Sequence, residues 1–360
     1  MTFDLQSLVR KNIRNLKPYS SARSEFIGSA EVFLDANENA FGSPAEGGYN
    51  RYPDPLQIEL KRRIAAMNGV SPSQMFAGNG SDEAIDLLFR IFCEPGRDEA
   101  IICPPTYGMY RVSAEINDIA VREIRLTADF QLDVPAILSG VSEITKLIFI
   151  CSPNNPTGNL MRRESIIEIA KNFNGIVVVD EAYIHFTGAP SMIADLENLS
   201  NLVILQTLSK AWGMAGLRVG LAFASGEIID LLNRVKPPYN VSGIAQRAAL
   251  DSLDYESQVL EWVAAACEQR TFLAEMLGKF AFVKTVFPSD ANFLLVQVTN
   301  ADETYRFLID EKIVVRNRNN VELCKGCLRI TVGTPAENEL LIEALGKFQQ
   351  QANKFEITDK

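Results

Sequence analysis

Short apolar runs rich in β-branched residues alternate with longer segments of helical periodicity through the middle of this chain. The runs at residues 147–150, 176–179 and 203–205 contain no polar interruption. Uninterrupted runs are typical of strands that are covered on both faces, and their alternation with helices indicates crossover connections. The pattern predicts an α/β fold with a mostly parallel sheet sandwiched by helices.

The pattern changes after residue 250 or so. A helical stretch at 244–276 is followed by strand-like runs at 293–298 and 328–332 and by a last helical segment at 337–350. This mixture predicts a second, smaller α+β unit. We therefore expect an N-terminal arm (residues 1–30), a large α/β domain (31–265) and a small C-terminal α+β domain (266–360).

Polar clusters directly follow the three apolar runs, at residues 152–156, 180–183 and 207–210. In open α/β sheets, ligands bind outside the carboxyl ends of the strands. The three clusters therefore predict one shared site at that edge of the sheet.

Composition excludes several classes of function. With 45 acidic and 35 basic residues, the net charge of -10 would repel nucleic acid and anionic membranes. No apolar run reaches membrane-spanning length, and the N-terminal residues lack the continuous apolar stretch of a signal peptide. Of six cysteines, only Cys324 and Cys327 lie close together, and we expect them in a turn between strands rather than in a metal site. The expectation is a soluble cytoplasmic protein that needs no metal.

A glycine turn at residues 78–80 leads into a helical pattern that begins with Ser81 and Asp82. The free N–H groups at such a helix start attract a phosphate. Taken alone, the motif is more often an ordinary helix start at which Ser81 or Asp82 serves as the cap.

Asp180 and Lys210 carry the most specific chemistry. A carboxylate at a strand end can pair with a protonated ring nitrogen and make a pyridine ring an electron sink, and a desolvated lysine amine can form an imine. Taken one at a time, each of these residues has a more common structural explanation. Asp180 can simply end a strand, Lys210 can be a solvated surface residue, and Asn154 and Asn155 can form a turn. Their occurrence at neighbouring strand ends favours a shared role, with Tyr183 near the same ring.

Several short motifs occur in a fixed order: 37–39 (NEN), 51–54 (RYPD), 78–83 (GNGSDE), 105–107 (PTY), 154–158 (NNPTG), 180–183 (DEAY), 207–210 (TLSK), 216–220 (GLRVG) and 328–333 (LRITVG). This set resembles the histidinol-phosphate aminotransferase family, of the aspartate-aminotransferase-like fold (fold type I). The likeness extends from Tyr19 to Gly333. It departs from the family at Ala40, where the family has proline, and this affects loop stiffness more than chemistry.

The resemblance implies pyridoxal 5'-phosphate as the cofactor and assigns residues to it. Lys210 would hold the cofactor as a Schiff base, Asp180 would pair with the pyridine nitrogen, and Tyr183 would act with Asn155 on the ring's O3'. The other cofactor-binding positions implied are Ser81, Asp82, Ser209 and Arg218 for the phosphate, Tyr107 for ring stacking, and Tyr52 for the cofactor phosphate of the neighbouring subunit. The substrate-binding positions implied are Tyr19, Asn37, Arg316 and Arg329.

The implied reaction is transamination of L-histidinol phosphate with 2-oxoglutarate, giving imidazole acetol phosphate and glutamate in histidine biosynthesis. A homodimer with composite active sites is implied as well. An aromatic amino acid aminotransferase or a threonine-phosphate decarboxylase would share this fold and lysine. A cofactor-binding sensor module is a further alternative, but it needs an attached DNA-binding segment, and the sequence has only a short arm.

Overall fold

The computed structural model describes residues 3–19 and 30–358, with side chains described as far as residue 351. Two sheets organise these residues. The larger has seven strands: β1 (Met75–Asn79), β2 (Glu99–Ile102), β3 (Ala120–Glu123), β4 (Thr145–Cys151), β5 (Ile176–Asp180), β6 (Leu202–Thr207) and β7 (Val219–Ala224). Their order is β1-β7-β6-β5-β4-β2-β3. Strands β2 to β6 are parallel, whereas β7 runs antiparallel to both β6 and β1.

Both faces of this sheet are covered. Along β5, Ile176 and Val178 pack into one apolar core, while Val177 and Val179 pack into another on the opposite face. Because both faces are buried, the strand has no need for polar alternation, and this explains its uninterrupted apolar run. The covering helices are Ile58–Met67, Ser81–Phe92, Met109–Ile116, Val134–Gly140, Arg163–Asn172, Gly226–Val235, Gly243–Ser252 and the first half of Glu256–Leu277.

The smaller sheet is wholly antiparallel, with the order β10-β11-β9-β8. Its strands are β8 (Val283–Val286), β9 (Phe293–Val298), β10 (Arg316–Asn317) and β11 (Cys327–Thr331). The helices Ala301–Asp310 and Pro335–Thr358 pack with it. Cys324 lies in the connection between β10 and β11, and Cys327 begins β11, as expected of a turn between strands.

One long helix, Glu256–Leu277, connects the two cores. Its Val259 packs against the larger sheet, whereas Leu273 and Leu277 belong to the core of the smaller sheet. Near its middle, Arg270 donates to the carbonyls of Phe186 (3.3 Å) and Ala291 (2.7 Å), and so connects the two parts. Residue 265 falls inside this helix, so the domain boundary predicted there stays a prediction.

The predicted helical stretch at 244–276 is interrupted by a short 3-10 helix, Leu253–Tyr255, and the last helix is longer than predicted. Near the N-terminus, the short helices Leu5–Leu8 and Lys11–Arg14 pack on the larger domain through Leu5, Val9 and Ile13. The rest of the predicted arm, at residues 1–2 and 20–29, lies outside the described residues. Within residues 3–19 and 30–358, no helix is both long and apolar enough to cross a membrane.

Candidate active site

The carboxyl ends of β4, β5 and β6 open into a cavity of about 580 Å³ that reaches the smaller sheet. Eleven of the predicted site residues line it: Ser81, Asp82, Tyr107, Asn155, Asp180, Tyr183, Ser209, Lys210, Arg218, Arg316 and Arg329. The three polar clusters of the sequence therefore do meet at one edge, as the strand-end argument predicts.

Asp180 ends β5 and is buried. Its Oδ2 accepts a hydrogen bond from the Tyr110 hydroxyl (2.8 Å), and its Oδ1 accepts one from the Ala182 N–H (3.2 Å). Burial raises the pKa of the Asp180 carboxyl to about 6, despite these donors. The site thus holds a desolvated carboxylate that a cationic ring nitrogen would stabilise.

Lys210 follows β6 by three residues, and its Nζ lies 5.5 Å from the centre of the Tyr183 ring. The sequence predicts a desolvated lysine at this strand end. Thr207 at the strand end is buried, but the Lys210 side chain projects into the open cavity and is exposed. Desolvation by the cavity wall and the nearby charge of Arg329 still lower the pKa of its amine. A lowered pKa favours the neutral amine that imine formation requires.

The glycine turn and the helix that follows it form one end of the cavity. Helix Ser81–Phe92 has Gly80 as its N-cap and no side-chain cap, so neither Ser81 nor Asp82 caps it. The Gly80 N–H donates a hydrogen bond to the carbonyl of Arg218 (2.7 Å). A Cβ at Gly80 would lie 2.7 Å from Arg218 Nη2. A Cβ at Gly220 on β7 would lie 2.0 Å from the backbone nitrogen of Ser81. Close packing of bare backbone therefore sets the shape of this turn.

The Asp82 carboxylate faces its neighbours in the cavity wall. It accepts a hydrogen bond from the Tyr107 hydroxyl (3.1 Å) and lies 3.6 Å from Arg218 Nη2. A negatively charged side chain cannot itself attract a phosphate. Any contribution of Asp82 to phosphate binding must come from its backbone N–H at the helix start.

Arginine side chains form the opposite end of the cavity. Arg329 Nη1 donates to Asn155 Oδ1 (2.5 Å), and its guanidinium lies 5.2 Å from the centre of the Phe293 ring. Arg316 on β10 stands opposite Arg329 on β11 in the strand register. Desolvation lowers the pKa of Arg329. This end of the cavity can bind an anion.

Three predicted site residues do not line this cavity. Tyr52 and Asn37 border a separate surface depression, where Tyr52 stacks on Tyr239 with 4.5 Å between ring centres. Tyr19 is 76% exposed. In this single chain, the cavity forms without them.

Comparison with known proteins agrees with this geometry. Residues 28–345 match the family described as aminotransferase class I and II. A histidinol-phosphate aminotransferase from Parabacteroides distasonis is 54% identical over 342 residues, which cover 95% of this chain and 98% of that protein. The chain belongs to the histidinol-phosphate aminotransferase family, within aminotransferase classes I and II.

Solved structures agree with that membership. The histidinol-phosphate aminotransferase from Clostridium acetobutylicum has a TM-score of 0.78 at 27% identity, covering 84% of this chain and 92% of that one. The enzyme from Sinorhizobium meliloti, solved in complex with pyridoxal-5'-phosphate, has a TM-score of 0.77. This second alignment covers 88% of this chain and 90% of that one. At 23% identity it shows the fold alone. The predicted family and fold class are confirmed.

Sequence reasoning missed Tyr110 and Arg318, two polar residues that contribute to this site. Tyr110 supports Asp180 from the helix Met109–Ile116, and Arg318 lines the cavity beside Arg316. Arg316 and Arg318 are two positions apart, so on an extended segment their side chains lie on the same face. This spacing could have indicated that Arg318 accompanies Arg316 at the site. Tyr110 had no such signal, because its partner is 70 positions away.

Proposed function

We propose that this chain transfers the amino group of L-histidinol phosphate to 2-oxoglutarate, giving imidazole acetol phosphate and glutamate in histidine biosynthesis. The relatives named above support the substrate. The observation that carries the proposal is the layout of the cavity, which brings Asp180 and Lys210 together with a glycine turn at a helix start and with a group of arginines. Such a cavity suits a phosphorylated cofactor together with an anionic substrate.

Pyridoxal phosphate is the cofactor, and the residues of the cavity fit it. When bound, it supplies the carbonyl carbon that takes up the amino group and a ring that delocalises the electron pair left on the substrate carbon. Asp180 would hold the proton on the ring nitrogen, because a buried carboxylate is stabilised by a cation. Asn155 Oδ1 accepts a hydrogen bond from Arg329 Nη1, so Asn155 Nδ2 remains as a donor that would bind the ring's O3', together with the Tyr183 hydroxyl.

The remaining cofactor contacts follow from the turn. The N–H groups at the start of helix Ser81–Phe92, the Ser209 hydroxyl and the Arg218 guanidinium would hold the cofactor phosphate. The Thr207 hydroxyl is 3.0 Å from Ser209 Oγ, and it orients that side chain. Tyr107, which also lines the cavity, would stack on the cofactor ring.

Lys210 acts twice in this proposal. Its Nζ would hold the cofactor in the resting enzyme, and once the substrate amine has taken its place, the free Lys210 amine would accept the proton from the substrate carbon. The lowered pKa of Lys210 favours both steps, because a neutral amine is needed as nucleophile and as base. Tyr183, whose ring lies under Nζ, limits where the amine can move.

Arg316 and Arg329 would bind the substrate's anionic group, with Tyr19 and Asn37 as further substrate contacts. Histidinol phosphate carries a phosphate and no carboxylate, whereas glutamate carries two carboxylates. One pocket must therefore accept both kinds of anion in turn. Arginine suits this, because its planar fork binds either oxyanion and stays charged.

A homodimer forms part of the proposal. Tyr52 lies outside the cavity of its own chain, on a surface that also exposes Tyr49 and Ile244. Exposed aromatic and apolar side chains in one area mark an interaction surface. A second copy would cover them, and Tyr52 would then reach the cofactor phosphate of the partner. Light scattering of the active enzyme tests this, and an active monomer would contradict it.

Cytoplasmic localisation is proposed because all six cysteines are free thiols, as expected in a reducing compartment. Cell fractionation tests this.

The activity is tested by mixing the purified holoenzyme with histidinol phosphate and no keto acid. The visible absorption of the cofactor bound to Lys210 should convert to that of its amine form, and 2-oxoglutarate should reverse the change. O-phosphothreonine and phenylalanine are the comparison substrates. Carbon dioxide release from O-phosphothreonine, or faster conversion by phenylalanine, would show a different activity on the same fold.

A further inference from the structure

A third arginine stands beside the two predicted ones. Arg316 and Arg329 face each other across the β10–β11 pair. The Arg318 N–H donates to the carbonyl of Cys327 (2.9 Å), which extends this pairing by one more hydrogen bond. Because side chains alternate along an extended strand, residues 316 and 318 lie on the same face as residue 329. Their guanidinium groups thus converge on the cavity, which all three line.

The positive charge of this group is not neutralised. Within the described part of the chain, none of the three arginines has an ion-pair partner. The Nε atoms of Arg318 and Arg329 are buried and have no hydrogen-bond partner. Burial, together with the charges of Arg329 and Arg316, lowers the pKa of Arg318. Buried donors and mutually repelling charges cost free energy unless an anion satisfies them.

We propose that Arg318 is a third guanidinium of the substrate-anion site and gives that site its preference for a dianionic phosphate ester over a carboxylate. The inference rests on the proposed function, since it assumes that both anions use this pocket in turn. The reason is electrostatic. The attraction between an added cation and an anion scales with the anion's charge, and a phosphate monoester carries nearly twice the charge of a carboxylate at neutral pH.

Arg329 is already engaged with Asn155, and Arg316 is the most exposed of the three. Arg318 is half-buried and makes no side-chain hydrogen bond within the described residues. Its charge is therefore less screened by water than that of Arg316 and is uncommitted in the absence of substrate. This makes Arg318 the arginine on which discrimination between the two anions depends most.

The test compares Arg318→Gln with the wild-type holoenzyme in the two half-reactions, each measured by single-turnover absorption. We expect kcat/KM for histidinol phosphate to fall on the order of tenfold to a hundredfold. For glutamate the expected loss is only about three- to tenfold, because the lost attraction is about half as large. Arg318→Lys should recover part of the preference. Arg306→Gln, on the exposed face of helix Ala301–Asp310, is the matched control and should change neither value.

A binding measurement separates a contact with the anion from a structural role. Inorganic phosphate and acetate are titrated into the holoenzyme, in which the cofactor's own phosphate would occupy the glycine turn. Arg318→Gln should weaken the binding of phosphate several times more than the binding of acetate. Equal losses for both anions, or no loss, would overturn the proposal. If the wild type does not turn over histidinol phosphate but phosphate binding still depends on Arg318, the proposed substrate fails while the anion site stands.

Discussion

Asp180→Asn should make the cofactor-free protein more stable while it inactivates the enzyme. In the folded protein, burial raises the pKa of the Asp180 carboxyl from its ordinary 3.8 to about 6. Each tenfold change in proton affinity corresponds to about 1.4 kcal/mol, so ionised Asp180 costs the empty protein about 3 kcal/mol. An amide carries no charge and avoids that cost. It can still accept from the Ala182 N–H and pair with the Tyr110 hydroxyl.

The sign of the pH dependence follows from the same shift. Below pH 3.8, the carboxyl is protonated in both states and the wild type has no penalty. Between pH 3.8 and about 6 the unfolded chain loses its proton first, so stability falls as pH rises. Above about 6 the penalty is constant. The advantage of Asp180→Asn should therefore be about 3 kcal/mol at pH 8 and roughly half of that at pH 5.

Urea unfolding of the two cofactor-free proteins, followed by circular dichroism at equal protein concentration, measures this difference. Asp82→Asn is the control in the same cavity. Its carboxylate is 35% exposed and has Arg218 nearby, so this variant should gain no stability. If Asp180→Asn were no more stable than wild type at pH 8, or if its advantage did not shrink at pH 5, the desolvation argument would be refuted. With cofactor bound, Asp180→Asn should lose most of its turnover, because an amide cannot hold the ring-nitrogen proton.

The other predictions concern the lysine, the arginines, the glycine turn and the dimer. Lys210→Ala should keep its melting temperature and bind cofactor but lose transamination; turnover without added amine would remove Lys210 from the mechanism. Arg329→Ala should lower kcat/KM about ten- to a hundredfold for both substrates, and Arg329→Lys should restore part of that loss. A loss for only one substrate would show that the two anions use separate sites. Gly220→Ala should cost about 3 kcal/mol or more in urea unfolding, because the new methyl overlaps backbone, whereas Gly216→Ala has open space and should be neutral. Mixing Tyr52→Ala with Lys210→Ala chains should restore activity through hybrid dimers with one intact site, and no recovery would contradict a composite site.

The sequence was sufficient to predict the features that depend on local pattern. Burial on both faces produces the apolar run of β5, and the chain direction of parallel strands brings Asn155, Asp180 and Lys210 to one edge. Both features can be inferred without knowing which residues pack against these strands. The resemblance to a known family then implied a role for each residue.

Features that depend on long-range packing could not be inferred in this way. The support of Asp180 by Tyr110 joins residues 70 positions apart, and the convergence of Arg318 with Arg329 depends on the register of β10 and β11. The cavity exposure of Lys210 was also not predictable, because the sequence shows that a strand ends but not which way the following residues turn. Tyr52 presents a different difficulty, since a second chain would supply its proposed partner.

The helix Glu256–Leu277 also bears on how one active site can accept substrates of unequal length. Its 22 residues correspond to about 33 Å of rigid rod. One half of the rod packs in the core of the larger sheet, and the other half packs in the core of the smaller sheet, whose strands β10 and β11 carry Arg316 and Arg329. On a lever of this length, a tilt of about 3° moves the far end by about 2 Å, roughly the length of one or two covalent bonds. A tilt of the smaller sheet together with this helix would therefore change the spacing between the reactive amine and the anion site, and the side chains around the half of the helix in the larger core would have to repack.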